Sequence, residues 1–132
     1  FIDDYAHHPT EITSVLEGVK KVYNKKEIIC IFQPHRISRV KNLKLEFSKS
    51  FLKSDTVLLC PICKANENIN LGFSYNSFAR LIIKNSKVKL INIENEKELQ
   101  KFLKQTAYGN KIYVGMGAGS ISSWMRNLKN NI

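Results

Sequence analysis

Residues 28–32, Ile28-Ile29-Cys30-Ile31-Phe32, form an apolar run that contains no polar position. Such a run is typical of a strand buried on both faces, as in parallel sheets that are covered by helices on each side. The segment that follows, residues 33–39, is polar and leads into a helical pattern. This stretch therefore predicts a buried strand of an α/β sheet, followed by a polar turn and a helix.

Strand and helix patterns alternate along the rest of the chain. The links between them are short, which predicts a mostly parallel sheet with helices on both faces. The expected fold class is α/β, a Rossmann-like three-layer sandwich formed by residues 1–132 as a single domain. Right-handed crossovers place the carboxyl ends of such strands on one edge of the sheet. The predicted strands are residues 1–3, 28–32, 56–60, 88–91 and 112–115, and the predicted helices are residues 10–23, 40–51, 75–83, 94–105 and 120–128.

The polar turn near the start of the chain has more polar and ionisable side chains than a chain reversal requires. Asp3-Asp4-Tyr5-Ala6-His7-His8 stands between an apolar dipeptide and a helix start. Pro9 suits the first helical position, and Glu11 adds negative charge to the first turn. Open α/β sheets hold their ligands where a strand's carboxyl end turns into a helix. We therefore expect a ligand site here. The alternative is that the aspartates only cap the turn and the histidines are merely exposed.

A second polar turn, Gln33-Pro34-His35-Arg36-Ile37-Ser38-Arg39, follows the apolar strand. Arg36 and Arg39 are three residues apart and share a face if the helix has begun by then. Arginine forks bind a carboxylate or a phosphate through two parallel bonds, which lysine does not. The chain has seventeen lysines and four arginines, and two of the four arginines are in this turn. This indicates that the fork geometry of arginine is needed here, and not only its charge. The alternative is a pair of solvated basic residues at a helix start.

Three segments resemble motifs of the Mur ligase family, in particular the C-terminal domain of its UDP-N-acetylmuramate–L-alanine ligases. The first is residues 3–12, and the second is Phe32-Gln33-Pro34-His35-Arg36 with Ser38-Arg39. The third is Gly117-Ala118-Gly119, directly after the last predicted strand. The segments occur in the family's order and span nearly the whole chain. The first is highly specific, the second is strong, and the third is weak alone because glycine runs after strands are common.

The resemblance implies a reaction and further domains. In these ligases ATP phosphorylates the muramyl carboxylate of UDP-N-acetylmuramate, and the amine of L-alanine then attacks the acyl phosphate. The chain would be the C-terminal domain of a three-domain, cytoplasmic bacterial enzyme. The family's phosphate-binding loop and its Mg²⁺ ligands lie in a central domain, and this chain has no Gly-x-x-x-x-Gly-Lys-Ser/Thr motif. We therefore expect this domain to be inactive alone and to hold no metal. Its expected partners are ATP, UDP-N-acetylmuramate, L-alanine and the enzyme's own N-terminal and central domains.

The resemblance also implies roles for individual residues. Asp4 would bind the ATP ribose, and His7 would reach the γ-phosphate or the reacting carboxyl group. The carboxylate of alanine would be clamped by His35, Arg36 and Arg39. The catalytic candidates are thus His7 and His35, and the substrate-binding candidates are Tyr5, His7, His35, Arg36 and Arg39.

The net charge of +10 does not by itself predict a nucleic-acid partner. The lysines are spread along every predicted helix and mixed with Glu and Asn, without a basic stripe or interleaved aromatic residues. No apolar run approaches the roughly eighteen residues of a membrane helix, and no signal-peptide pattern is present. We therefore expect neither a nucleic-acid nor a membrane partner.

Two other motifs offer weaker alternatives. Cys60-Pro61-Ile62-Cys63 has the spacing of a redox pair or half a zinc site, but little helical pattern follows it and suitably spaced further ligands are missing. The run Gly115-Met116-Gly117-Ala118-Gly119-Ser120 has two glycines of a dinucleotide fingerprint but follows the last strand instead of the first. Our interpretation is a tight turn whose bare backbone lets a substrate approach, with Ser120 as the helix N-cap.

Three points stay open at this stage. The peptidoglycan-recycling ligase that joins a tripeptide to UDP-N-acetylmuramate has a similar first motif but a different second one. A non-catalytic module that binds nucleotides or other anions is the other rival. His8 is assigned equally to ligand contact and to a local bond at the helix start.

Overall fold

The computed structural model describes residues 1–62 and 73–131, which contain five strands and six helices. The strands are β1 (Ile2–Asp4), β2 (Glu27–Phe32), β3 (Thr56–Leu59), β4 (Lys89–Asn92) and β5 (Lys111–Met116). The helices are α1 (Pro9–Val22), α2 (Ile37–Asn42), α3 (Lys44–Lys49), α4 (Tyr75–Ser86), α5 (Glu96–Thr106) and α6 (Ile121–Asn131). Except for one helix, every predicted element is present with ends that differ by at most three residues from the prediction.

The five strands form one sheet in the order β1-β5-β2-β3-β4, and every neighbouring pair is parallel. This confirms the predicted parallel sheet. The apolar run 28–32 occupies the central strand β2, between β5 and β3, where all five residues are buried. Because the strands run in one direction, their carboxyl ends share one edge, here called the carboxyl edge. Their amino ends share the opposite edge, the amino edge.

Helices cover both faces of the sheet, as expected for a three-layer sandwich. On β2, Ile28, Cys30 and Phe32 belong to one core cluster, while Ile29 and Ile31 belong to a second. The alternation follows from the two-residue period of a strand. The first cluster contains buried residues of α1, α3 and α4, and the second contains those of α5 and α6.

The predicted helix over residues 40–51 is instead two short helices, α2 and α3, that meet at Leu43. Leu43 has φ −116° and ψ 21°, outside the helical region, so it interrupts the regular helix. Its amide still bonds to the carbonyl of Arg39 at 3.0 Å, and its carbonyl accepts from the amide of Phe47 at 2.9 Å. Leu43 and Phe47 both pack in the first core cluster, and core packing overrides the single helical period here.

Some predictions fall on residues that the structure does not describe. Cys63 is among them, as is most of the stretch over residues 64–74, whose many Asn and Gly residues predict a loop. Within residues 1–62 and 73–131, none of the helices combines the length and the apolar character that crossing a bilayer requires.

Candidate functional site

The turn from β1 into α1 carries the first group of polar side chains at the carboxyl edge. Asp4 Oδ1 accepts a hydrogen bond from the amide of Ala6 at 2.9 Å, which fixes the turn. His7 Nδ1 lies 3.0 Å from the carbonyl oxygen of Tyr5. The Tyr5 side chain is 68% exposed, and its ring meets that of His7 edge-on at 5.4 Å. Ala6 is buried in the core, so the turn is anchored while Tyr5 faces outward.

His8 acts at the start of α1 as a helix cap. Its Nδ1 accepts from the amide of Thr10 at 3.3 Å, and Glu11 Oε1 accepts from the amide of His8 at 3.1 Å. This reciprocal pair is a capping box with histidine in the place of the usual serine or threonine. The local bond is therefore the alternative that the structure supports for His8.

Asp3 and Asp4 have different surroundings. Asp3 Oδ2 accepts from Ser122 Oγ at 2.8 Å, which links β1 to α6. Asp4 bonds within its own turn through Oδ1, and its Oδ2 makes no hydrogen bond with the described part of the chain. Each carboxylate thus has one oxygen, Oδ1 of Asp3 and Oδ2 of Asp4, that makes no hydrogen bond with the described residues and can accept from a ligand.

The turn from β2 into α2 holds Arg36 in an uncommon backbone conformation. Arg36 has φ 68° and ψ 125°, and it is one of two residues other than glycine with positive φ in the described ranges. A side chain held in such a region costs about 1–3 kcal/mol, and these residues cluster at functional sites. The carbonyl of Arg36 accepts from Val40, so α2 begins immediately after it. The guanidinium itself is exposed.

Arg39 lies in the first turn of α2 and is half-buried. Its Nη1 atom is inaccessible to solvent and has no hydrogen-bond partner within residues 1–62 and 73–131. A buried guanidinium nitrogen without an acceptor is costly, because it has lost its bonds to water. An anionic ligand at this position would supply the acceptor.

The two turns meet at the carboxyl edge. Asp4 of β1 and Phe32 of β2 are both level with Met116 of β5, which lies between them. Two strand spacings separate the ends of β1 and β2 by about 10 Å. Across this gap the rings of His7 and His35 approach edge-on, with centroids 5.9 Å apart. The expected convergence of the two polar turns is therefore observed.

A third turn, from β5 into α6, packs against the second turn through Gln33. The Gln33 side chain is 4% exposed and makes three hydrogen bonds. Its Nε2 donates to the carbonyl of Pro61 at 3.2 Å and to Ser120 Oγ at 3.0 Å, and its Oε1 accepts from the amide of Ile121 at 3.0 Å. Gln33 is part of the second sequence motif, but no local sequence signal identified its partners, which are 28 to 88 positions away.

Gly117 serves this packing. It has φ 152°, and a Cβ atom there would lie 2.9 Å from the carbonyl oxygen of Gln33 and 2.8 Å from Ile121 Cγ2. The bare backbone expected to admit a substrate therefore admits Gln33 and α6. Gly115 has the same role towards α6, because a Cβ atom there would lie 2.7 Å from Met125 Sδ. Since Gln33 already occupies the amide of Ile121, the dinucleotide alternative loses a donor that it needs.

The described cysteines are core residues. Burial raises the pKa of the Cys60 thiol to about 12, and burial, reinforced by neighbouring Cys60, raises the pKa of Cys30. Reactive thiols need the opposite shift, so neither residue has the environment of a redox centre. Cys63, the other half of the predicted pair, is outside the described residues. No group of three His, Cys, Asp or Glu side chains in the described ranges is arranged to hold a metal ion.

Comparison with known proteins places this arrangement in a family. The family described as "Mur ligase, glutamate ligase domain" matches residues 1–119. The UDP-N-acetylmuramate–L-alanine ligase of Pelagibacter ubique is 63% identical over 128 residues, which is 97% of this chain and 28% of that protein. The chain thus spans under a third of the length of this relative.

Solved structures show the same fold. The UDP-N-acetylmuramate–alanine ligase of Thermotoga maritima matches 97% of this chain and 25% of its own with a TM-score of 0.71 and 26% identity. A murein peptide ligase of Psychrobacter arcticus matches 96% of this chain and 26% of its own with a TM-score of 0.72, but at 20% identity. The two are equally similar in fold.

Proposed function

This chain belongs to the Mur ligase family, as a C-terminal domain, and we propose that it serves the ATP-dependent joining of L-alanine to UDP-N-acetylmuramate in peptidoglycan synthesis. The proposal includes a larger, three-domain enzyme of the bacterial cytoplasm, in which this domain closes over a central ATPase domain. The 63% identity to the UDP-N-acetylmuramate–L-alanine ligase of Pelagibacter ubique supports this proposal.

The single observation that carries the site is the meeting of two polar turns at the carboxyl edge. His7 and His35 face each other there, and Arg36 and Arg39 belong to the same turn as His35. Imidazole and guanidinium groups at the ends of β1 and β2, on either side of β5, can together bind a small carboxylate and a phosphate. Arg39 Nη1, buried without an acceptor among the described residues, fits a bound anion.

In the proposed reaction, ATP supplies the phosphoryl group that activates the muramyl carboxylate for attack by the amine of L-alanine, with release of ADP and phosphate. The residues of this domain position the reactants and neutralise charge. Arg36 and Arg39 bind the carboxylate of alanine, and His35 lies beside them. We assign His7, whose ring lies 5.9 Å from that of His35, to the phosphate and the reacting carboxyl group. Tyr5, largely exposed at the rim, packs on the substrate or the nucleotide.

The residues at the carboxyl edge also fit ATP. Asp4 Oδ2, which makes no hydrogen bond with the described part of the chain, suits the hydroxyl groups of a ribose because a carboxylate only accepts hydrogen bonds. In our proposal the Mg²⁺ ligands and the phosphate-binding loop belong to the central domain. The domain alone is therefore expected to show neither ligation nor ATP hydrolysis above background.

A chimeric enzyme tests the proposal. The 128 residues of this chain that match the Pelagibacter ubique ligase would replace the corresponding segment of that enzyme, and ligation would be followed as ADP release and product mass. With UDP-N-acetylmuramate present, we expect ATP-dependent product with L-alanine and none with a free tripeptide in its place. Product with the tripeptide but not with L-alanine would indicate the recycling ligase. The chain also matches the fold of a murein peptide ligase. A folded chimera without either activity would favour a non-catalytic binding module.

A further inference from the structure

We propose that Gln33 is a positioning residue for the amino-acid clamp, resting on the function proposed above. Gln33 is 4% exposed, so its side chain does not contact a substrate. Instead, its amide joins three connections at the carboxyl edge: its own turn, the end of β3 at Pro61 and the start of α6 at Ser120 and Ile121.

The side-chain amide of Gln33 donates both of its hydrogens and also accepts one hydrogen bond. Both Nε2 hydrogens have an acceptor, at 3.2 Å on Pro61 and at 3.0 Å on Ser120. The oxygen accepts from the first amide of α6. A side chain that is only an acceptor or only a donor cannot reproduce this set. The main chain of Gln33 is fixed as well, because its amide donates to the carbonyl of Met116 at 3.0 Å.

The position of Gln33 in the chain connects this anchor to the clamp. Pro34, with its fixed φ, is buried and is the one residue between Gln33 and His35, which Arg36 directly follows. Arg36 then adopts φ 68°, a conformation that persists only when its surroundings hold it. Gly117 allows the close approach, since any Cβ atom there would meet the carbonyl of Gln33 at 2.9 Å. The glycine turn thus affects the clamp through Gln33 and not through the substrate.

The test uses the chimera with Gln33→Met, which keeps the side-chain length and removes all three bonds. Misplacing a binding group by about 1 Å can cost up to a hundredfold, so we expect the KM for L-alanine to rise about tenfold. The KM for ATP should stay within about twofold because Asp4 is anchored in another turn. The matched control is Ser86→Ala, which removes a buried serine, 1% exposed, that bonds to Ser48 and Phe51 away from the clamp. It should lower the Tm without changing either KM.

A milder variant covers the case in which Gln33→Met does not fold. Ser120→Ala removes one of the three bonds and should raise the KM for L-alanine by about threefold, the equivalent of one ordinary hydrogen bond. Added to Gln33→Met, it should have no further effect because the shared bond is already absent. Equal KM changes in the Ser86 control, or full additivity of the two variants, would overturn the inference.

Hydrogen exchange separates this inference from the proposed function. The peptide covering residues 34–40 should exchange at least about tenfold faster in the Gln33→Met chimera than in the parent, whether or not the chimera ligates L-alanine. The Ser86→Ala chimera should leave that peptide unchanged. An inactive parent chimera contradicts the proposed function, whereas unchanged exchange in residues 34–40 contradicts the role of Gln33.

Discussion

The two edges of the sheet use the same residue types in opposite ways. At the amino edge Asp55 Oδ2 accepts from the amide of Ile28 at 2.8 Å, across 27 positions, and so joins β2 to β3. At the carboxyl edge Asp4 bonds only within its own turn. Lys111 at the amino edge donates to the carbonyl of Thr106 at 2.8 Å, while Arg39 at the carboxyl edge holds a buried nitrogen without an acceptor among the described residues. Asp55 and Lys111 thus stabilise the fold. At the carboxyl edge Asp3 does so as well, through Ser122, whereas Asp4 and Arg39 each keep an atom without a partner among the described residues.

Cavity volume does not point to the carboxyl edge, because a cavity of about 720 Å³ is lined by residues 95–105, in and next to α5. A cavity of about 590 Å³ at the amino edge is lined by five lysines together with Glu27 and Asp55. Lys20 lies in the last turn of α1, and Lys87 caps the end of α4. Lysines at helix C-termini offset the negative end of the helix dipole, which gives two of the five lysines a structural role. Available hydrogen-bonding capacity, and not cavity volume, distinguishes the edge that we propose as the functional one.

The largest expected effect comes from removing an arginine at the carboxyl edge. In the chimera, Arg36→Ala should raise the KM for L-alanine by roughly ten- to a hundredfold, since a charge-assisted bond contributes about 1.5–3 kcal/mol. Arg36→Lys should recover little because lysine lacks the planar fork. The control is Lys89→Ala at the amino edge, which should leave both KM values unchanged. Equal effects of the two alanine variants would show that the edges do not differ.

The next largest effects come from Asp55 at the amino edge and Asp4 at the carboxyl edge. The first should change mainly stability, and the second mainly the KM for ATP. Asp55→Ala leaves the amide of Ile28 without its acceptor and should lower the free energy of unfolding by about 1–2 kcal/mol, read from denaturant titration. Asp4→Ala should cost less stability but raise the KM for ATP. A variant of Asp4 that loses more stability than the Asp55 variant would mean that Asp4 is structural.

The sequence predicted the strand–helix order because apolar periodicity is a local property of the chain. It also predicted that the two polar turns share an edge, since parallel strands leave no other arrangement. It did not predict the break at Leu43, which depends on packing, and it left the cap formed by His8 as one of two alternatives, since the choice depends on the side-chain geometry of a single residue. The contacts of Gln33 were equally invisible, because their partners are brought together only by the fold.

Cys60 follows β3 at the carboxyl edge but belongs to the core, and pH tests that distinction. Its thiol pKa is raised by burial from 9.0 to about 12, so the folded chain retains a proton that the unfolded chain releases. The resulting stability is present below pH 9 and is lost as the pH rises from 9 towards 12, at about 1.4 kcal/mol per pH unit. Cys60→Ala should flatten the alkaline fall in unfolding free energy. An unchanged slope would place the thiol in contact with solvent.

The smallest expected effect on stability is a gain instead of a loss. Arg36→Gly relieves the positive φ of 68°, which costs about 1–3 kcal/mol for a residue with a Cβ atom, while glycine loses about 1 kcal/mol in chain entropy. The net gain in unfolding free energy should be about 0.5–1 kcal/mol, with the KM for L-alanine raised as in Arg36→Ala. Lys87→Gly, at the other positive φ of 55°, is the control and should gain stability without any change in KM. If Arg36→Gly instead lowers stability, the Arg36 side chain contributes to folding, and the carboxyl edge is less different from the amino edge than its hydrogen bonds indicate.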